Sequence, residues 1–133
     1  TYIAQKTKNK IVVIVPEDYD IKIDFLHFKR VLKNLVNNAI LYGKSNTDIE
    51  IMAKITNDNS QITVKDYGKG ISPEDIEKIF NKYFSASKKF RKIGTGLGLY
   101  LSRKIVEAHG GKLGVESQEG EYTKFYIDME INK

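Results

Sequence analysis

Apolar and polar positions along this chain recur with two different periods, and each period predicts an element. Lys10–Val15, "KIVVIV", is a β-branched run and reads as a strand. "DIKID", Asp20–Asp24, alternates with period two and predicts a second. The period then changes. In "FLHFKRVLKNLVNNAILYG", Phe28, Val31, Leu32, Leu35 and Ala39 fall on one helical stripe, with Asp24 placed to cap its start and Gly43 its end. "DIEIMAKI" and "QITVKD" alternate again across the turn segment "NDNS", which predicts a hairpin.

"SPEDIEKIF" begins as a helix should: Ser72 at the N-cap, Pro73 at the first helical position, Glu74 and Asp75 in the first turn. A polar, basic loop follows, to about Gly94. Gly94, Gly96 and Gly98 lead into a helix through Leu99, Leu101, Ile105 and Val106 that Gly110 and Gly111 stop. "KLGVES" and "EYTKFYIDMEI" predict a closing hairpin, with Thr123, Phe125, Ile127 and Met129 on one face. Together these elements predict an α+β fold. It is a two-layer α/β sandwich in which a mixed, mostly antiparallel sheet is covered on one face by about three helices.

Composition narrows the function classes. The 133 residues suit one domain, and 41% hydrophobic with 29% charged residues is an ordinary globular balance. Without cysteine there is no disulfide framework and no thiolate metal site. No apolar run reaches the roughly 20 residues of a membrane span, and no signal peptide is visible. The net charge is +5, with a dense cluster at Lys88, Lys89, Arg91 and Lys92. Aromatic residues do not interleave with that cluster, so a polyphosphate ligand or plain solvation suits it better than nucleic acid. The chain begins at Thr1 rather than Met, which suggests a fragment of a longer protein.

Three patches carry candidate chemistry. Asn34 and Asn38 stack one helical turn apart beside the apolar stripe, where an amide oxygen offers a hard ligand that suits Mg²⁺. Alone, the pair also fits a solvated helix face. In "QITVKDYGKGI", parity sets Asp66 on the same face as Ile62 and Val64, so its carboxylate aims inward, with Gly68 and Gly70 opening room beside it. A buried carboxylate needs donors, and a purine amine would be one; a turn residue facing water is the plainer alternative. The third patch, "KIGTGLGLYLS", is neither a P-loop, since no lysine follows Gly98, nor a dinucleotide fingerprint, whose last gap is wider. It opens a helix, where successive N–H groups can meet an anion. A carboxylate for a base, amides for a metal and N–H groups for phosphates add up to a nucleotide site.

In this order the patches resemble the catalytic ATP-binding domain of sensor histidine kinases. That domain belongs with gyrase, the ninety-kilodalton heat-shock chaperone and mismatch-repair MutL to one superfamily, of the Bergerat fold. "HFKRVLKNLVNNAILYG" resembles its N box, "DYGKGI" its G1 box, "IFNKYF" its F box and "GTGLGLYLSRKIVEAHGG" its G2 box. "KLGVESQEGEYTKFYIDM" resembles the closing hairpin, so the likeness runs from about Lys10 to the end.

The resemblance implies that Asn38 ligates Mg²⁺ bridging the phosphates of ATP, with Asn34 close to those phosphates. It implies that Tyr42 packs on the adenine and that Asp66 accepts from the adenine amine. Gly68 and Gly70 would shape that end of the pocket, Ile71 and Leu99 would line it, and Thr123 would join a water network beside Asp66. Gly94, Gly96 and Gly98, with Thr95 and Leu97 between them, would hinge a mobile ATP lid and approach the phosphates. His27 falls where the family varies and His109 at a packing position of the helix end; the phosphoacceptor histidine belongs to a separate dimerisation domain. The whole chain, 1–133, then reads as one catalytic domain. It would pass the γ-phosphoryl group of ATP to that histidine, upstream of a response regulator, on the cytoplasmic side of a membrane-anchored parent.

Three departures bear on this. Leu41 stands where the family often has Lys or Arg, and Ser85 where it often has Arg; both usual residues would face phosphate. Lys88 and Lys89 on the lid, with Arg91 and Lys92, are the candidates to supply that charge. Tyr67 replaces a commoner asparagine in the G1 box. The losses keep open a degenerate nucleotide-binding regulatory module without transfer, and an anti-sigma-type serine kinase shares the same boxes.

Overall fold

The computed structural model describes residues 10–15, 25–44, 46–56, 58–81 and 98–130. The strand expected at Asp20–Asp24, the Asp24 cap and the segment holding Ser85, Lys88, Lys89, Gly94, Thr95, Gly96 and Leu97 lie outside the described residues, as does the side chain of Tyr42.

Among the described residues five strands form one sheet: β1 (Lys10–Ile14), β2 (Asp48–Thr56), β3 (Asn59–Asp66), β4 (Lys112–Gln118) and β5 (Tyr122–Glu130). Their spatial order is β1-β2-β3-β5-β4. β1 runs parallel to β2, with Ile11 opposite Ile49, and every other neighbour is antiparallel. The parallel pair requires a crossover, which helix α1 (Phe25–Tyr42) lies within. Between β3 and β4 come a single helical turn, α2 (Pro73–Ile76), and helix α3 (Gly98–Ala108). β4 therefore takes the edge, and β5 returns between it and β3. That return sets Thr123 directly opposite Asp66.

The predicted stripe is the core contact of α1. Phe28, Val31, Leu35 and Ala39 are buried, and Leu32 packs at its border. They meet the inward face of the sheet, where Ile62, Val64 and Asp66 on β3 and Thr123, Phe125, Ile127 and Met129 on β5 are all buried. The opposite face is mostly polar, as expected of a sheet covered on one side, with Ile14 and Met52 exposed on it at the β1–β2 end. Glu50, Lys65, Lys124 and Glu116 share one row across four strands. Lys124 Nζ lies 3.4 Å from Glu116 Oε2, and Lys65 sits over the rings of Tyr67 and Tyr122. Tyr67, the unusual G1 residue, donates its hydroxyl to Glu50 Oε1 at 2.8 Å on this face.

α2 starts as predicted, with Ser72 Oγ accepting from the Asp75 amide at 3.3 Å and Pro73 at the first position. It is shorter than the pattern suggests: the helix ends at Ile76 and turns carry the chain on to Phe80. Ile79 is buried, so packing of that side chain sets this segment rather than continued helix. α3 ends where the glycines predict. Gly110 has φ +80°, and the Gly111 amide donates back to the Val106 carbonyl at 2.9 Å. α1 and α3 lie antiparallel, since Asn34 meets the start of α3 while the His27 and His109 rings stand edge to face, 6.1 Å apart, at the other end.

Candidate functional site

Asp66 is the last residue of β3, and the two-residue period that buries Ile62 and Val64 turns its carboxylate inward too. It is 4% exposed. The Gly68 amide donates to Oδ1 at 2.9 Å, the local turn that aspartate favours. Burial works against the charged form and outweighs that donor, pushing the carboxyl up to about 6 from its ordinary 3.8. At neutral pH the group is an anion held in a poorly hydrated place. It therefore favours a ligand that brings a donor.

The surrounding elements are drawn close around it. Gly43 follows α1, and its amide closes a last helical bond to the Ala39 carbonyl at 2.8 Å. A Cβ there would collide with that carbonyl and sit 3.4 Å from the Asp66 Cβ. Glycine thus lets the end of α1 come against the carboxylate. From the other side, β5 presents Thr123, buried and paired with Asp66 across the ladder. Gly68 is buried beside Asp66.

Gly70 does something other than open room. With φ +72°, it turns against the β4–β5 hairpin, where an added Cβ would lie 2.5 Å from the Gln118 carbonyl. The Gly120 amide donates to the Lys69 carbonyl at 2.6 Å in the same contact. Gly70 therefore fixes the loop to the hairpin. Ile71 and Leu99 are half-buried and pack against the core border, as side chains at the rim of a site do.

Asn34 and Asn38 lie one turn apart on α1, both half-buried. Asn34 Nδ2 reaches Ser102 Oγ at 3.1 Å and the Gly98 carbonyl at 3.4 Å. Its amide thereby ties α1 to the first turn of α3, and its nitrogen end is turned toward that helix because a carbonyl can only accept. Gly98 leaves open space, a Cβ there meeting only Asn34 Cγ at 3.9 Å.

Two serines escaped the sequence reading. Ser102 is fully buried at the seam of α1 and α3. Ser117 accepts the Ile71 amide at 2.8 Å, donates to the Tyr122 carbonyl at 2.7 Å and lies 3.2 Å from Thr123 Oγ1. A signal for Ser117 was present: Leu113, Val115 and Ser117 share one face, so a hydroxyl ends an inward apolar alternation as Asp66 ends its own.

Comparison with known proteins fits this arrangement. Residues 23–133 match the family described as histidine kinase-, DNA gyrase B- and HSP90-like ATPase. The sensor protein SrrB of Staphylococcus aureus is 35% identical over 108 residues, 80% of this chain and 18% of its own length. This chain thus spans less than a fifth of the curated relatives it matches. The catalytic domain of histidine kinase ThkA is 32% identical with a TM-score of 0.84, over 98% of this chain and 84% of that one. Full-length ShkA in complex with AMPPNP has a TM-score of 0.81 at 23% identity, over 94% of this chain and 26% of that one, and shares the fold. The box order in the sequence, the open five-stranded sheet with its helices on one face, and these likenesses agree: the chain belongs to the histidine kinase-, DNA gyrase B- and HSP90-like ATPase family, as the ATPase domain of a sensor histidine kinase.

Proposed function

We propose that this domain binds Mg-ATP and passes the γ-phosphoryl group to a histidine on a separate dimerisation domain of its parent. The observation that carries the nucleotide reading is Asp66. A buried carboxylate at the end of β3, between the close of α1 and Thr123, is suited to an exocyclic amine of adenine. Tyr42 at the end of α1, Ile71 and Leu99 supply the apolar contacts of the base. Gly68 and Gly70 form the loop beside it.

The phosphate end lies by Asn34, Asn38 and the start of α3. Asn38 would offer its amide oxygen to a magnesium ion, which takes few protein donors and prefers hard oxygen ligands. The ion would supply charge stabilisation for the transferring group. Gly94, Thr95, Gly96, Leu97 and Gly98 bring backbone N–H groups to phosphate, and Lys88 and Lys89 bring the charge that Leu41 and Ser85 do not. In transfer, an imidazole nitrogen bonds to the γ-phosphorus as its bond to the bridging oxygen breaks. ADP leaves, and the imidazolium so formed gives its ring proton to solvent water. Asn34 cannot serve as a base for water, because an amide does not accept that proton. The site therefore favours transfer over hydrolysis.

The test is calorimetric titration of ATP, with and without Mg²⁺, on this chain and on Asp66→Asn. Saturable, magnesium-dependent binding that Asp66→Asn abolishes is the expected result. No binding at millimolar ATP would overturn the reading. Binding without any transfer to a histidine-bearing acceptor would favour a regulatory module that works by occupancy.

A further inference from the structure

We propose that Ser117 is a positioning residue that locks the Thr123 hydroxyl as an acceptor beside Asp66, so that the site prefers a 6-amino purine to a 6-oxo purine. This rests on the nucleotide reading above. It adds a residue that neither the box motifs nor the family match singles out.

The inference follows from counting protons around one oxygen. Ser117 Oγ has three neighbours: the Ile71 amide at 2.8 Å, the Tyr122 carbonyl at 2.7 Å and Thr123 Oγ1 at 3.2 Å. The amide can only donate, so it occupies one lone pair of Oγ. The carbonyl can only accept, so it takes the single hydroxyl proton of Ser117. The contact with Thr123 then has one arrangement left. Thr123 must donate into the second lone pair. Its own proton is committed away from the site, and its oxygen keeps two lone pairs.

Thr123 and Asp66 face each other across the β3–β5 ladder on the inward face. Directly opposite side chains stand about 4.5–5.5 Å apart at Cβ. Two acceptors thus sit side by side, and neither has a proton to give at neutral pH. A ligand edge or bridging water that meets both must bring donors. An amine does so. A 6-oxo purine instead sets a third acceptor at that position and carries its donor on N1, and a hydroxyl free to rotate would have met the oxo group. The scaffold makes this durable, because the groups that commit Ser117 are backbone: the loop after Gly70 and the hairpin strand.

The experiment compares ATP with inosine triphosphate, which carries oxo for amino at the 6 position and a proton on N1, by titration of the 133-residue chain and its variants. The wild-type chain is expected to prefer ATP, and Ser117→Ala to lower the ratio of the two dissociation constants about tenfold, the worth of one hydrogen bond. Ser117→Thr, which keeps the hydroxyl, should restore the ratio. Loss of packing alone would weaken both nucleotides equally and leave the ratio unmoved, which would overturn the inference. In a Thr123→Val background, Ser117→Ala should no longer change the ratio; a change persisting there would also overturn it. Should Ser117→Ala fail to melt cooperatively, Thr123→Ser and Thr123→Val carry the test with Ser117 intact. The first should hold the ratio and the second relax it, and equal ratios would overturn the proposal. A wild-type chain that takes up neither nucleotide would instead overturn the nucleotide reading, and this inference with it.

Discussion

A carboxyl group at 4% exposure with one backbone donor resists ionisation, and at Asp66 this couples the proposed binding to stability. The folded-state value of about 6 lies above the ordinary 3.8, so the folded state holds the proton more tightly than the unfolded chain. The sign follows. Below about pH 4 the group costs nothing, between 4 and 6 stability falls as pH rises, and above 6 the cost is constant, at most about 3 kcal/mol. Asp66→Asn in the nucleotide-free chain is therefore expected to raise stability at pH 7.5 by about 1–3 kcal/mol. It should also flatten the pH dependence between 4 and 6. Urea unfolding at pH 4.5 and 7.5 measures both, and a variant less stable than wild type at pH 7.5 would contradict the account. The same titration acts on the ligand. An adenine amine at the proposed site needs the ionised form, so the ATP affinity of the wild-type chain is expected to fall as pH drops below about 6, read by calorimetric titration across that range.

Elements bring these residues together by close approach, and the approaches can be weakened one at a time. Gly70 combines a positive φ with backbone packed against the hairpin. Gly70→Ala meets a left-handed cost of about 1–2 kcal/mol before any collision is counted. A loss of about 2 kcal/mol or more in urea unfolding is the expected outcome, and an unchanged midpoint would show that the loop is not held there. Ser102 joins the other seam. Ser102→Ala removes an acceptor of Asn34 Nδ2 in a buried place, and a loss of about 1 kcal/mol is expected. Because Asn34 borders the proposed phosphate end, this variant should weaken ATP more than adenosine. Equal effects on both would assign Ser102 to packing alone.

For the whole molecule, the role proposed for the Asn34 amide bears on what the domain does by itself. With no proton acceptor for water at that position, steady-state ATP hydrolysis by the isolated chain is expected to be slow. A helical domain bearing the acceptor histidine, added in trans, should become labelled with an acid-labile phosphate. A fast hydrolysis rate from the chain alone would overturn this division of labour. Among the described residues no helix is long and apolar enough to cross a membrane.

What was legible in the sequence was local. Side-chain alternation has a period of two and helical stripes one of 3.6, so the inward facing of Ile62, Val64 and Asp66, of Thr123 through Met129, and of the α1 stripe could be read from a few neighbouring residues each. The box motifs were legible as a family resemblance, each carried by a short run of neighbouring residues. Partners distant in sequence were not. Nothing local places β5 between β3 and β4, turns Gly70 against a hairpin nearly fifty residues on, or sets the Asn34 amide on Ser102, 68 residues away. Those pairings arise only when whole faces of sheet and helix bury their apolar area against one another, and the polar groups at the borders then bond to what the packing has brought near. The sequence alone thus determined which groups would face inward and what chemistry they carry. The tertiary structure decided which of them meet, and so which hydroxyl can donate and which must accept.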